Sequence, residues 1–496
     1  MGECIKFETY HSCENDATIA YKDENGKEYC VLHTPLEIRK KLDLENAFNQ
    51  IVEEKKKYHK YNFGGCHFGN SLVVRQNQYG PAKLNFKDCI FENDFNAKNM
   101  TIGPSAFSGA HFLKAAFFVG SEFEGESEFN EVVFAGEANF SSCTFKSALN
   151  FSKVKYQVLD FRNAKFYADC YFSFIKKIED SKTKVENKFI DFSFSDVIIG
   201  LDCKVTFHMS SLINSAFSPR GNGILEFLGS SLQNVSFMNA DLSNCIFNRI
   251  DLSESFFSGA KLSETRFIDC TFREEKSLTY KRIAIFDEFY DQKKEEFLKK
   301  GWFTFFNFFH ERAMTISALA ETYCSLKNNF ESNKDYVTAD KFHFSEMEMK
   351  RAMLGAKILQ RNKTGKWNHL FKFLYYLRVK VFSFYPWYKY ASGYGTSYTR
   401  AFWCILIALL FFSTSYMFTG LPNIEYEIGN LGNLILVIQD FAGSFFYTIG
   451  ILIPGIARYF ADNVPVSTRW LTVTEFIVMW TLIPLLVLAL KRHFKR

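Results

Sequence analysis

A period of five constrains this chain more than any other feature. From Phe207 a large apolar residue recurs at every fifth position: Phe207, Leu212, Phe217, Phe227, Leu232, Phe237, Leu242, Phe247, Leu252, Phe257, Leu262, Phe267 and Phe272. Asn222, between Gly221 and Gly223, breaks the series. Two residues before most of these sits a smaller side chain, among them Ser210, Ser230, Ala240, Cys245, Ser255 and Thr265. A helix repeats every 3.6 residues and a strand every two, so neither sustains this period. A chain that turns a corner every five residues, with two side chains inward per side, does. Phe and Leu also alternate. If four sides make a coil of about twenty residues, like stacks on like. Phe207, Phe227, Phe247 and Phe267 then form one column, Leu212, Leu232 and Leu252 a second, and Phe217, Phe237 and Phe257 a third.

Upstream the spacing alternates between five and six, through Phe118, Phe123, Phe129, Phe134, Phe140, Phe145 and Phe151. This eleven-residue double unit gives about 22 residues per coil. Phe63, Phe68, Phe86, Phe91, Phe107 and Phe112 read as earlier coils with insertions, and Phe161, Phe166 and Phe172 continue the pattern. The charge-rich stretch Lys176 to Lys188 reads as a loop. At ~4.8 Å per stacked strand, about nine or ten coils make a rod of ~45 Å. The columns hold 24 of the 58 phenylalanines among 496 residues.

The units resemble the pentapeptide-repeat family, including its eleven-residue variant, as in Glu137-Ala138-Asn139-Phe140-Ser141-Ser142-Cys143-Thr144-Phe145-Lys146-Ser147. The resemblance implies a right-handed quadrilateral β-helix over residues 61–273, about 40% of the chain. It implies no single function, because members of the family do many things.

Six of the twelve cysteines, Cys66, Cys89, Cys143, Cys170, Cys245 and Cys270, stand two before a large apolar residue and read as small core side chains. Residues 1–60 read as a cap. The opening Met1-Gly2-Glu3-Cys4-Ile5-Lys6 has no apolar run of a signal peptide, so a cytosolic location is expected for this part. Cys4, Cys13, Cys30 and His33 form a loose set of soft ligands, with Cys30 and His33 a Cys-x-x-His step. Two readings stand: a tetrahedral structural zinc, or unpaired thiols in a small cap. Leu42 to Lys60 reads as a helix with Leu44, Phe48 and Ile51 on one face, placed to cover the open solenoid end.

The net charge of +5 argues against a strongly basic nucleic-acid binder. Residues 84–175 carry 11 acidic against 8 basic residues and 189–273 carry 9 against 6. That is too weak to imitate DNA, at one charge per ~1.7 Å, so no nucleic-acid partner is expected. No glycine-rich phosphate loop or nucleophile–base pair stands out, and no enzymatic activity is expected.

Residues 274–366 read as a linker with an αα-hairpin. Thr315–Phe330 buries Leu319, Tyr323, Leu326 and Phe330, and a turn leads to a helix from Tyr336 to about Gln360. The string from Tyr323 to Phe330, with Asp335-Tyr336 and Ala339 to Phe342, is similar to a helical segment of pentapeptide-repeat membrane proteins. Residues 367–400, rich in aromatics and lysine, read as an interfacial amphipathic helix, with a flexible hinge at Gly393 and Gly395.

Residues 401–496 read as a membrane domain. Spans are expected at about 401–420 and 470–490, each long enough for ~30 Å of hydrocarbon. Both outer flanks are basic, while the connection Leu421–Arg469 carries four acidic residues against two basic. The positive-inside rule places both termini in the cytosol, as a multi-pass protein of a bacterial inner (plasma) membrane. The apolar stretch 434–456 between them reads as re-entrant, Gln439 to Thr448 going in and Gly450 to Gly455 returning. The order span, re-entrant helix, span resembles the two-helix pore module of tetrameric cation channels. That resemblance implies a homo-oligomer, a tetramer first, and filter-like residues Thr448, Ile449, Gly450, Ile451, Pro454 and Gly455. Potassium channels of that type carry Thr-Val-Gly-Tyr-Gly; only Thr-x-Gly is kept here, so potassium selectivity is not implied. Two functions are expected from this: an ion-channel-like protein whose cytosolic solenoid senses or binds a protein partner, or a membrane-anchored scaffold that conducts nothing.

Overall fold

A computed structural model describes residues 19–76, 80–178, 190–276, 280–289, 316–361, 384–419, 434–452 and 466–494. The chain forms two compact units, residues 1–275 with 283–329, and residues 276–282 with 330–496.

The first unit is a parallel β-solenoid of about nine turns. Its register is the one that the repeat demands. Phe68, Phe91, Phe112, Phe134 and Tyr156 lie directly over one another at steps of 21–23 residues. Phe207, Phe227, Phe247 and Phe267 do so at steps of twenty. One column of ten rings runs the whole length: Phe63, Phe86, Phe107, Phe129, Phe151, Phe172, Phe207, Phe227, Phe247 and Phe267. Successive centroids lie 4.7–5.7 Å apart with rings 7–33° from parallel. The Phe217–Phe237–Phe257 column is also stacked, and Leu212 pairs with Leu232. Neighbouring columns meet edge to face, at 79–90°. Offset stacks and perpendicular pairs are the two arrangements that the ring quadrupole favours. Phenylalanine fills both with one side chain, and the repeat selects it for that reason.

The small residue two places earlier has its own duty. Its hydroxyl or thiol donates to a backbone carbonyl one coil below: Cys89 to Phe63 (2.9 Å), Cys143 to Phe118 (3.0 Å), Ser230 to Phe207 (2.9 Å) and Thr265 to Leu242 (2.8 Å). Five of the six repeat cysteines are buried, Cys270 partly so. Burial pushes the Cys143 thiol up to about 12, so it stays protonated. Corners need a left-handed residue, and Asp88, Asn99, Gly109, Gly120, Glu131, Ser142, Lys153 and Asn163 supply φ of 52–72° at intervals of ten or eleven residues. At Gly109 and Gly120 a side chain would also collide with Asp88 and Asn99 of the coil below.

Both ends are covered. Helices α1 (Leu36–Lys41) and α2 (Glu45–Lys57) precede the first coil. The sequence pattern gives one helix from Leu42 to Lys60; the structure starts it at Glu45, because Asp43 takes a left-handed conformation (φ 51°) and splits the run. Phe48, as expected, faces the core and meets Phe68 (5.6 Å). The buried Arg39 guanidinium lies 3.7 Å from the Phe48 ring and donates to Glu45 and to the Thr34 and His67 carbonyls. At the far end Asp287 accepts from the Phe257 and Ser258 amides (2.9 and 2.8 Å), and Asn329 donates to the Leu262 and Thr265 carbonyls (both 2.7 Å). The expected loop begins later than Lys176: Lys176–Lys177 is a strand paired with Lys155–Tyr156, because it stacks on the coil below. Residues 179–189 lie outside the described residues.

Helix α3 (Ile316–Ser332) buries Leu319, Tyr323, Leu326 and Phe330, as its spacing predicts. A turn centred on Lys334 (φ 63°) leads to α4 (Tyr336–Arg361) in the second unit. Then come α5 (Phe384–Ser392), α6 (Tyr398–Thr419), α7 (Leu434–Leu452) and α8 (Val466–Phe494). Residues 362–383, most of the expected interfacial helix, lie outside the described residues. Two helices, Tyr398–Thr419 and Ser467–Phe494, are long and apolar enough to cross a membrane. They run antiparallel: Tyr398 meets His493 (4.7 Å) at one end, and Thr468 donates to the Thr419 carbonyl (3.3 Å) at the other. The reversal expected between Thr448 and Gly450 is absent, since α7 continues unbroken to Leu452. A helical glycine costs only about 1 kcal/mol, too little to stop an apolar helix.

Two outcomes test this architecture. Phe129→Ala, in the middle of the long column, should cost about 3–5 kcal/mol. Phe267→Ala, at its partly exposed last ring, should cost less than half as much, with both read from denaturant midpoints. Burial raises the Asp287 carboxyl to about 6, against the two amides that lower it. The folded pKa lies above the unfolded ~3.9, so folding takes up a proton. The cap should be most stable below pH 4 and weaken as pH rises to 6. Hydrogen exchange in the last coils should show this slope, and Asp287→Asn should flatten it.

Candidate functional site

Helices α6, α7 and α8 invert the usual polarity of a helical bundle. Large apolar side chains face outward, with Phe446 72%, Trp470 71% and Phe411 61% exposed. A set of polar side chains faces inward. Ser413 and Tyr416 of α6, Ser444 and Thr448 of α7, and Thr468 and Glu475 of α8 are fully buried, and Tyr447 nearly so. The spacing puts each group on one helix face: 413 and 416, 444, 447 and 448, and 468, 472 and 475.

The seam is joined by hydrogen bonds. Tyr416 donates to Glu475 Oε2 (2.8 Å) and lies 3.3 Å from Thr472 Oγ1. The Tyr447 hydroxyl lies 3.4 Å from the same Thr472 oxygen. Ser413 and Thr448 share a bond of 3.1 Å. The Tyr416 and Tyr447 rings meet edge to face (4.9 Å). Most hydroxyls also return a bond to their own helix, Ser413 to the Leu409 carbonyl and Thr448 to the Phe445 carbonyl (both 2.7 Å). Two atoms of the seam, Glu475 Oε1 and Ser444 Oγ, have no partner among the described residues.

Of the filter-like residues read from the sequence, Thr448 lies in this seam, and Ile451 packs with Phe412, Tyr416 and Tyr447. Gly450 is buried and Ile449 points outward. Pro454 and Gly455 lie outside the described residues. Glu475, Tyr416, Tyr447 and Thr472 were not singled out by sequence. Their signal was a lone carboxylate in an apolar helix with threonines three and seven residues before it on the same face.

The Gly393–Gly395 turn is tightly built. Gly393, Tyr394 and Gly395 all take left-handed φ (58, 60 and 78°), and the amides of residues 393–397 are bonded within the turn and to the end of α5. Tyr394, fully buried, donates to Glu348 of α4 (2.6 Å), which also bridges Lys389 (3.1 Å) and Arg351 (2.7 Å). Burial raises the Glu348 pKa, but Tyr394 and the two cations outweigh it and hold the carboxyl below its ordinary value. The Tyr394 carbonyl accepts from Arg492, at the end of α8, and lies 3.2 Å from His343 of α4. Helices α4, α5 and α8 therefore meet at one residue.

In the N-terminal cap Cys30 Sγ lies 3.2 Å from His33 Nδ1, and His33 Nε2 lies 2.9 Å from the Gly64 carbonyl. Both side chains are buried. Cys4 and Cys13 lie outside the described residues, and among the described residues no group of three ligands could hold a metal.

Comparison with known proteins bears on the solenoid. Family profiles described as pentapeptide repeats match residues 107–155 with nine copies and residues 229–273 with eight. No curated protein matches the chain. A trypsin-treated form of QnrB1, a plasmid-mediated fluoroquinolone resistance protein, aligns at 16% identity over 42% of this chain and 91% of its own, with a TM-score of 0.24. HetL, a pentapeptide-repeat protein involved in heterocyst differentiation regulation from the cyanobacterium Nostoc sp., aligns at 14% identity over 43% and 92%, with a TM-score of 0.18. Scores this low carry no argument about what this chain does. The repeat matches agree with the register of the coils, and the β-solenoid of this chain is a pentapeptide-repeat solenoid.

Proposed function

We propose that the chain is one subunit of an oligomeric, ion-channel-like membrane protein, with a four-sided, right-handed solenoid on the cytosolic side as its sensing or partner-binding platform. The observation that carries this reading is the polar seam that joins α7 to both helices long enough to span a membrane. Thr448 meets Ser413, six residues from the end of α6 at Thr419, or ~9 Å along the helix. Tyr447 meets Tyr416 while Ile451 packs on Phe412, so α7 runs antiparallel to α6. Leu452, four residues further, is ~15 Å in, about half of a ~30 Å hydrocarbon layer. Pro454 and Gly455 follow in the sequence, and a chain that turned back there would need protein or water beside its backbone.

The junction at Tyr394 fits coupling. Any shift of α4 is passed to the ends of both spanning helices through Glu348, Lys389 and Arg492. The basic groups gathered there agree with a cytosolic face and with both termini on it. Purified in detergent, the chain should form a closed ring, four-fold first, and conduct cations in planar bilayers. A monomer with no conductance under any condition would instead leave an anchored scaffold.

We also propose that Cys30 and His33 hold a structural zinc with Cys4 and Cys13. Two ligands at ~2.3 Å and ~2.0 Å from a tetrahedral ion lie ~3.5 Å apart, near the 3.2 Å between Cys30 Sγ and His33 Nδ1. With the Nε2 proton on the Gly64 carbonyl, the Nδ1 lone pair would face Cys30 Sγ, as a shared ion requires. Protein purified without chelator should contain stoichiometric zinc, and Cys30→Ser should lose it. Zinc-free protein of unchanged stability would contradict the site.

A further inference from the structure

Glu475 sits seven residues inward from Thr468, which marks the end of the bundle at Thr419, so it lies ~10 Å deep. Its side chain is fully buried, and among the described residues no Lys, Arg or His bonds to it. Its hydrogen-bond partner is a hydroxyl, at the edge of a chain of hydroxyls. Tyr416 of α6 donates to Oε2, Thr472 of α8 bonds that tyrosine, and Tyr447 of α7 meets Thr472. Oε1 and the nearby seam hydroxyl of Ser444 remain unpartnered among the described residues. An ionised carboxylate in such surroundings is costly unless a positive charge accompanies it. One carboxylate among neutral hydroxyls is balanced by one positive charge; a divalent ion would leave the bundle core charged.

Polar side chains also line one face of α7. Asp440, Ser444, Tyr447 and Thr448 follow at i, i+4, i+7 and i+8, one line along the helix. Asp440 is eight residues, or ~12 Å, before Thr448, which places it near the level of Thr419. The line leads from an acidic residue at the outer end to the unpartnered Ser444 and then to the Tyr447–Thr472–Tyr416–Glu475 cluster. The remaining charged groups on the three helices are Arg400, Arg469 and the basic run Lys491 to His493, and none is bonded to Glu475.

We propose that Glu475 is a binding site for a single monovalent cation, a proton or an alkali ion, reached from the extracytosolic side past Asp440 and Ser444. The proposal rests on the reading that α6–α8 lie in a membrane. The test uses the full chain in detergent, with melting temperature as readout. One arm titrates sodium against choline at fixed pH 8; the other titrates pH in choline alone. Wild type should show a saturable, single-site rise of ~2–4 °C in one arm or both. A response to sodium identifies an alkali ion, and a response to pH alone identifies a proton. Glu475→Gln should abolish it, and Tyr416→Phe, which keeps the carboxylate, should shift its midpoint. Flat titrations of the wild type, or the same response in Glu475→Gln, would overturn the site. Extraction of the chain without detergent would instead overturn the membrane reading, so the two failures are distinct.

Discussion

The first unit depends on one contact repeated along its length: a phenylalanine ring lying over another one coil away. Ten rings in one column keep to within 5.7 Å of the next. This fixes the register, since a slip of one residue would turn the column outward. It fixes the corner too: apart from the step from Phe172 to Phe207, each ring stacks because the coil closes after 20–23 residues. The hydroxyl and thiol bonds to the coil below, and the left-handed corner residues, serve the same closure. Such an array has sticky ends, and both are covered by structures outside the repeat: Phe48 and Arg39 at one end, Asp287 and Asn329 at the other.

The second unit follows an opposite rule. Along α6–α8 a set of hydroxyls and one carboxylate point inward, while Phe411, Phe446 and Trp470 point outward. In water that arrangement would be unstable; in lipid it is what the solvent selects, because polar groups find partners only inside. The seam also ties α7 to both long helices through Ser413, Tyr416 and Thr472. At the other end of α8, Arg492 joins the Tyr394 junction. The two polar clusters lie on one helix, with Pro484 between them.

The periodicity carried most of the fold. Columns such as Phe207 to Phe267 and Phe217 to Phe257 were legible because stacking imposes a strict count on the sequence. The helix boundary at Glu45 was not, because hydrophobic spacing runs through Leu42 while the break comes from the backbone of Asp43. The end of α7 was misjudged at Gly450 for a similar reason, since glycine weakens a helix without ending it. The turn at Gly393 and Gly395 was read as loose from its composition; its glycines are there to hold left-handed backbone. Glu475 was missed because hydropathy averages over a window. One carboxylate and its threonines look like interruptions until they are placed on a helix face.

The account stands on α7 entering the membrane and its chain returning to the side from which it came. The direct measurement is labelling of Arg458→Cys, between α7 and α8, with a membrane-impermeant thiol reagent on intact cells, beside Asn423→Cys as the exterior reference. The account predicts that both positions are labelled from outside. Protection of Arg458→Cys while Asn423→Cys is labelled would mean that α7 crosses the membrane, and the re-entrant reading would fall.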